Sequence, residues 1–172
     1  KYTDSYELIG NYTFNAFNSD SLSVYHNLGV SRLTLSPEST IDDIEGFAQI
    51  AIPTEMIVYG NTPVMTTQYC FLGCSNKCYP NCKMKCHTPN KYYLRDRLGL
   101  EFRVLPDNLQ TISTIYNSKT TCITHIQPDA TSYRIDILDE PIEEINHIIM
   151  AALKGEKLEG KQYTYGNLYR EV

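Results

Sequence analysis

Hydrophobic positions along this chain switch between a period of two and a period near 3.6, the repeats that distinguish strands from helices. Tyr12-Thr-Phe-Asn-Ala-Phe-Asn18 alternates aromatic and small residues and predicts a strand. A helix is expected from Ser19 or Asp20 through Leu22, Tyr25 and Leu28, with Gly29 as its left-handed stop. Ser31-Arg-Leu-Thr-Leu35 reads as a strand ending at Ser36-Pro-Glu38. Thr40 then caps a second helix. Asp42 and Asp43 in its first turn suit the positive end of the helix dipole, and Ile41, Ile44, Phe47 and Ala48 form its inner stripe.

Glu55-Met-Ile-Val-Tyr59 is a third strand leading to Gly60, and Pro63-Val-Met-Thr-Thr67 is a further extended piece. Residues 91–97 and 100–104 predict a hairpin turning at Gly99, within which Arg95 and Asp96 are placed to pair with each other. Residues 132–138 read as another strand. Pro141 opens the last helix at its first position, with Glu143 and Glu144 in the first turn. Its buried stripe is expected to be Ile142, Ile145, Ile148, Ile149 and Ala152, and Gly155 closes it.

This alternation of strand and helix implies an α/β fold with parallel strands and helices packed outside them. About four repeats are visible, half of the eight in a TIM barrel. The expected architecture is a partial (half) TIM-like barrel or a small open parallel sheet, with a cysteine-rich loop and β-hairpin inserted over residues 69–122. Residues 1–172 form one α/β domain on this reading. A start at Lys1-Tyr-Thr-Asp, without an initiator methionine, is taken to mean a fragment of a longer chain. An open half barrel exposes two sheet edges, which invites a homodimer.

Composition narrows the classes. At 42% hydrophobic and 20% charged residues, the chain matches an ordinary globular protein, and no apolar run reaches the length of a membrane span. A net charge of −5 argues against broad, non-specific affinity for nucleic acid.

The chemistry concentrates in the cysteines. Five of six stand at a fixed interval, Cys70, Cys74, Cys78, Cys82 and Cys86, and Cys122 follows alone. A disulfide framework is one reading, disfavoured by the length of the chain and the lack of a secretory signal. A structural zinc site of four thiolates is the second. An iron–sulfur cluster on four thiolates is the third. Spacing does not choose between the two metals. Gly73, Asn76, Pro80 and Asn81 break the run, so it is a loop shaped by bound metal rather than a helix. Lys77, Lys83 and Lys85 between the thiols serve loop solubility, or favour the thiolate forms. Reduced thiols indicate a cytoplasmic protein.

Several stretches in order resemble the U32 peptidase family of collagenase-like proteases. They are Asn15-Ala-Phe-Asn18, Leu28-Gly-Val-Ser-Arg-Leu-Thr-Leu-Ser-Pro-Glu38, Tyr69-Cys70, Cys86 ahead of Tyr92-Tyr-Leu-Arg-Asp-Arg97, Asn117-Ser-Lys119 before Cys122, and Tyr163-Thr-Tyr-Gly-Asn-Leu-Tyr-Arg170. The resemblance covers residues 11–172 and implies the C-terminal half of the family's barrel. Relatives include annotated peptidases and iron–sulfur enzymes that hydroxylate RNA bases or a small aromatic ring. By position, Cys70, Cys86 and Cys122 match three cluster ligands, and Cys78, or else Cys74, matches the second. The resemblance therefore implies an iron–sulfur cofactor, with zinc as the alternative, and an RNA, peptide or small aromatic substrate bound by the intact protein. The family's closing Gly-His is Gly166-Asn167 here, so no role passes to that histidine. Ser36 is the one serine in a matched motif. Glu38 and Arg95 are the catalytic candidates, Glu38 because barrel sites gather acids at strand ends. Of the histidines, His26 and His147 are read as structural or surface residues, His125 lies beyond a strand, and His87 is an alternative ligand beside Cys86.

Overall fold

The structure is a computed structural model and describes residues 6–47, 50, 52–71, 73, 90–107, 109–110 and 112–169. The chain divides into two compact units, residues 1–60 with 120–172, and residues 61–119.

The first unit is a mixed α/β body on a six-stranded sheet rich in parallel pairs. Strands β1 (Ile9–Gly10), β2 (Arg32–Thr34), β3 (Thr54–Gly60) and β9 (Ser132–Ile135) are mutually parallel where they pair. Strand β8 (Thr120–Cys122) runs antiparallel to β3, and β10 (Tyr163–Thr164) runs parallel to β8. Among the described residues the sheet is open and forms no closed barrel. Glu55 pairs with both Thr34 and Ser132, and Tyr59 with both Cys122 and Ile135. One edge of β3 is therefore lined by β9, and the other is shared by β2 and β8.

Alternation along β3 builds the core. Thr54, Met56 and Val58 are buried, Thr54 in register with Leu33 of the neighbouring strand, and Leu35 just beyond that strand joins the same core. Helices α1 (Ser19–Asn27) and α2 (Ile41–Phe47) contribute Leu22, Ile44 and Phe47 to the same cluster. Each fully buried side chain of this kind contributes roughly 1.5–3 kcal/mol. A second cluster joins Tyr59, Cys122 and Leu158 to Ile148 and Ala151 of α3 (Ile142–Lys154).

Helix ends follow local chemistry. Asn18 caps α1, its Oδ1 accepting the Ser21 N–H at 2.8 Å, and Gly29 turns the chain away with φ 92°. Thr40 and Asp43 form a reciprocal cap on α2: Asp43 Oδ2 accepts the Thr40 N–H at 2.8 Å and Thr40 Oγ1 accepts the Asp43 N–H at 3.3 Å.

Four expectations are corrected. The segment from Tyr12 is not a strand: Asn11 caps a 3-10 turn over Tyr12–Phe14, which Asn15 ends in a left-handed conformation at φ 50°. The short strand lies just before it, at Ile9–Gly10. Leu28 lies beyond the end of α1 and is exposed. On α3 the buried positions are Ile148 and Ala151, whereas Ile142 and Ile149 are exposed, because the helix turns its 148/151 side to the cluster of Tyr59, Cys122 and Leu158. Pro141 is the cap rather than the first helical residue, with extended ψ 153°. Ala48 lies outside the described residues.

The second unit is a four-stranded antiparallel sheet ordered β4 (Pro63–Thr67), β7 (Ile112–Tyr116), β6 (Glu101–Asp107), β5 (Tyr92–Arg95). Its hairpin turns at Gly99 (φ 83°), where Asp96 Oδ1 accepts the N–H groups of Leu98 and Leu100. The chain leaves the first unit at Gly60 and re-enters at Thr120, and Gly60 pairs with Thr121. Gly60 has φ 155°, and a Cβ there would lie 2.8 Å from Asp136 Cβ. Gly60→Ala is expected to destabilise the chain by about 1–3 kcal/mol in urea unfolding. An unchanged midpoint would show that the stem tolerates a side chain.

Candidate functional site

In parallel α/β sheets, ligands gather where the strands end at their carboxyl edge. Here that edge is formed by the residues following β1, β2, β3 and β9. On the face of β3 opposite the main core stands a charged network. Its centre is Arg134, on β9, whose Nε and Nη2 donate to the two carboxylate oxygens of Asp136 at 2.6 and 2.7 Å. Its Nη1 reaches Asn11 Oδ1 at 3.1 Å and Glu55 Oε1 at 3.4 Å. Thr34 Oγ1 also donates to Glu55 Oε1, at 2.8 Å.

Glu55 is the most enclosed acid of the set, its side chain 13% exposed. Arg32 Nε lies 3.8 Å from Glu55 Oε2, too far for a hydrogen bond, and is buried without a partner among the described residues. Tyr12 adjoins this network. Burial and the Asp136 carboxylate push its phenol above the ordinary value, while Arg134 opposes them. The bidentate fork fixes Asp136 at the strand end, so the network is a rigid, nearly charge-compensated platform.

A second polar group surrounds Cys122. Tyr59 is buried beside it in register, and its hydroxyl donates to Glu140 Oε1 at 3.2 Å. Glu140 Oε2 accepts the N–H groups of Leu138 and Asp139, fixing the approach to α3. Burial first, then the charges of Glu140 and Tyr163, holds the Tyr59 phenol far above its usual range, so it stays a donor. The Cys122 thiol is a free, buried cysteine 3.8 Å from Thr124 Oγ1. The residue is among those lining a cavity of about 260 Å³, with Lys157, Leu158, Glu159, Tyr163 and Tyr165. Lys157 bonds there to Glu159 and to the Tyr165 hydroxyl, which raises its ammonium above the usual value.

Of the cysteine ligands expected from the sequence, Cys70 and Cys122 are described. Both are free thiols. Cys70 is exposed, and its Sγ accepts the Gly73 N–H at 3.2 Å. Cys74, Cys78, Cys82, Cys86 and His87 lie outside the described residues. Among the described residues no group of three or more His, Cys, Asp and Glu side chains is arranged to hold a metal ion.

Glu38 is exposed in the turn after β2, its N–H bonded to Ser36 Oγ at 3.2 Å. Ser36 is buried, and among the described residues no histidine is its partner. Arg95 is exposed and pairs with Glu101 across the hairpin, not with Asp96, because Asp96 is committed to the turn N–H groups. His26 and His147 are exposed. His125 packs against Tyr165, its Nδ1 buried without a partner among the described residues.

Sequence reasoning passed over Glu55, Arg134 and Asp136. The available signal was a charged residue inside each otherwise apolar strand, Glu55 in Thr54–Gly60 and Arg134 in Ser132–Ile135, on the parity opposite the core.

The model of peptidase family U32 matches residues 3–169. No curated protein and no solved structure matches the chain. No helix among the described residues is long and apolar enough to cross a membrane.

Arg134→Met leaves Asp136 and the enclosed Glu55 without their shared cation. A loss of about 1–2 kcal/mol is expected in urea unfolding, since the Arg134–Asp136 pair is about a third exposed and Arg32 stays near Glu55, with part of it recovered in Arg134→Met/Asp136→Asn. Strictly additive single effects would show that the two side chains are not coupled.

Proposed function

The chain belongs to peptidase family U32, and from that premise we propose that its cysteines bind a metal centre, an iron–sulfur cluster in preference to zinc. The ligands on this reading are Cys70, Cys78, Cys86 and Cys122, with Cys74 as the alternative second ligand. The observation that carries it is the setting of Cys122. This thiol is unpaired, buried and fixed by β3–β8 pairing, two residues after the point where the cysteine-bearing insertion rejoins the sheet.

The described residues fit a thiolate-bound centre in two respects. Cys70 accepts a backbone N–H at its sulfur, the kind of hydrogen bond that tunes a sulfur-bound metal centre. Cys122, buried against Tyr59, Ile148 and Leu158, is also among the residues lining a cavity of about 260 Å³. Such a centre supplies one-electron chemistry when bound. The chain's own contribution is to orient the thiols and to offer the cavity beside Cys122, where Tyr163, Tyr165 and Leu158 can flank a planar ring. This supports hydroxylation of RNA or of a small aromatic substrate as the reaction served. The open parallel-rich sheet is read, on the same proposal, as half of a TIM-like barrel whose free edges can pair two copies.

The family description favours a second reading, a collagenase-like peptidase with the cysteines holding structural zinc. Ser36 gives it little support, since its hydroxyl is turned to the Glu38 N–H and has no histidine partner among the described residues.

Metal analysis of oxygen-protected protein separates the two. About four irons per chain, with visible thiolate-to-iron absorbance lost in Cys122→Ser, are expected. A colourless protein with one tightly held zinc would contradict the preferred reading.

A further inference from the structure

Helix α3 is apolar on two sides. One side is buried, where Ile148 and Ala151 enter the cluster of Tyr59, Cys122 and Leu158. The other lies about 120° around the helix axis and carries Ile142, Asn146, Ile149 and Leu153 in line. Their spacing of four, three and four residues is that of a coiled-coil seam. Ile142, Ile149 and Leu153 are 62, 39 and 75% exposed, and Met150 beside them is 48% exposed. A helix with one packing partner carries polar residues on its outer face. Large apolar side chains aligned on that face, rather than scattered singly, mark a contact surface.

The charges on α3 are ordered along its length. Glu143 and Glu144 stand in the first turn and Lys154 in the last. Glu143 and Lys154 also share one flank of the exposed seam, about 20° apart around the axis. Lys154 lies 3.7 Å from Glu156, a contact exposed on both sides that leaves the ammonium able to turn to another carboxylate. Two copies of α3 laid antiparallel about a two-fold axis set Ile142 opposite the partner's Leu153, and Asn146 opposite the partner's Ile149. In that register each Glu143 comes beside the partner's Lys154. A parallel pair would place Glu143 against Glu143 and Lys154 against Lys154.

We propose that the exposed face of α3 is the contact surface of a homodimer built from two antiparallel copies of this helix. The occupant is a second copy because the face complements itself, apolar seam to apolar seam and acidic end to basic end. Asn146 is the one polar residue of the seam. The two Asn146 side chains meet beside the two-fold axis, where their amides can bond to each other, and a shifted register separates them. A pair of 13-residue helices buries less than the roughly 1,200–2,000 Å² of a standard stable interface, so association is reversible and follows concentration. No cysteine and no strand edge takes part, so this contact goes beyond the metal-centre reading and either can fail alone.

The test is sedimentation velocity of the full chain between about 1 µM and 1 mM, with reductant present so that no intermolecular disulfide forms. The mean sedimentation coefficient is expected to rise with concentration from the monomer value toward that of a dimer. Leu153→Glu should weaken association at least about tenfold. Glu143→Lys and Lys154→Glu each set like charges across both symmetric contacts and should weaken it about threefold or more, whereas the double reversal Glu143→Lys/Lys154→Glu restores it. Circular dichroism of each variant reports its fold. A monomer throughout the range would overturn the proposal. So would unchanged association in a folded Leu153→Glu, which would assign the dimer to another surface such as the sheet edges, or a double reversal no tighter than the single variants.

Discussion

Strand β3 must satisfy its backbone on both edges while its two faces meet opposite environments, and the first unit is organised by that requirement. Met56 and Val58 enter the apolar cluster with α1 and α2, while Glu55 faces the charged network of Arg134 and Thr34. Because successive side chains point to opposite faces, a one-residue slip would exchange these environments. It would bury Glu55 among leucines and expose Met56. The register of β2, β8 and β9 on this strand is therefore strongly specified, and with it the positions of Cys122 and Gly60.

The same strand fixes where function can be carried. Its carboxyl end at Gly60 is the point of departure for residues 61–119, and their return at Thr120 is paired beside it. The stem admits little variation, since Asp136 packs against Gly60 and is itself gripped by Arg134. Charged network, stem and Cys122 thus share one short stretch of sheet.

Much of this was legible in the sequence because it rests on local chemistry. Thr40 and Asp43 announced the start of α2, Gly155 the end of α3, and the turn at Gly99 its hairpin. What could not be read depended on neighbours distant along the chain. The outward-facing isoleucines of α3 reflect where the core lies beneath it, whereas the 3-10 turn after Asn11 is a local cap that the alternating aromatic residues masked. Strands β7 and β8 carry little periodic signal, and pairing with β4, β6 and β3 defines them. The site was legible in part. The ordered motifs marked the family, whereas the Glu55–Arg134–Asp136 network is assembled from three separate places in the sequence and shows only once the strands are in register.

The central claim is that thiols from the insertion and Cys122 of the sheet meet at one inorganic centre. X-ray absorption at the metal edge of anaerobically prepared protein tests it most directly, comparing the unaltered chain with Cys122→Ser. The account predicts an iron edge with an all-sulfur inner shell that changes when Cys122 is replaced. A zinc edge, or an iron shell identical in the two proteins, would contradict it.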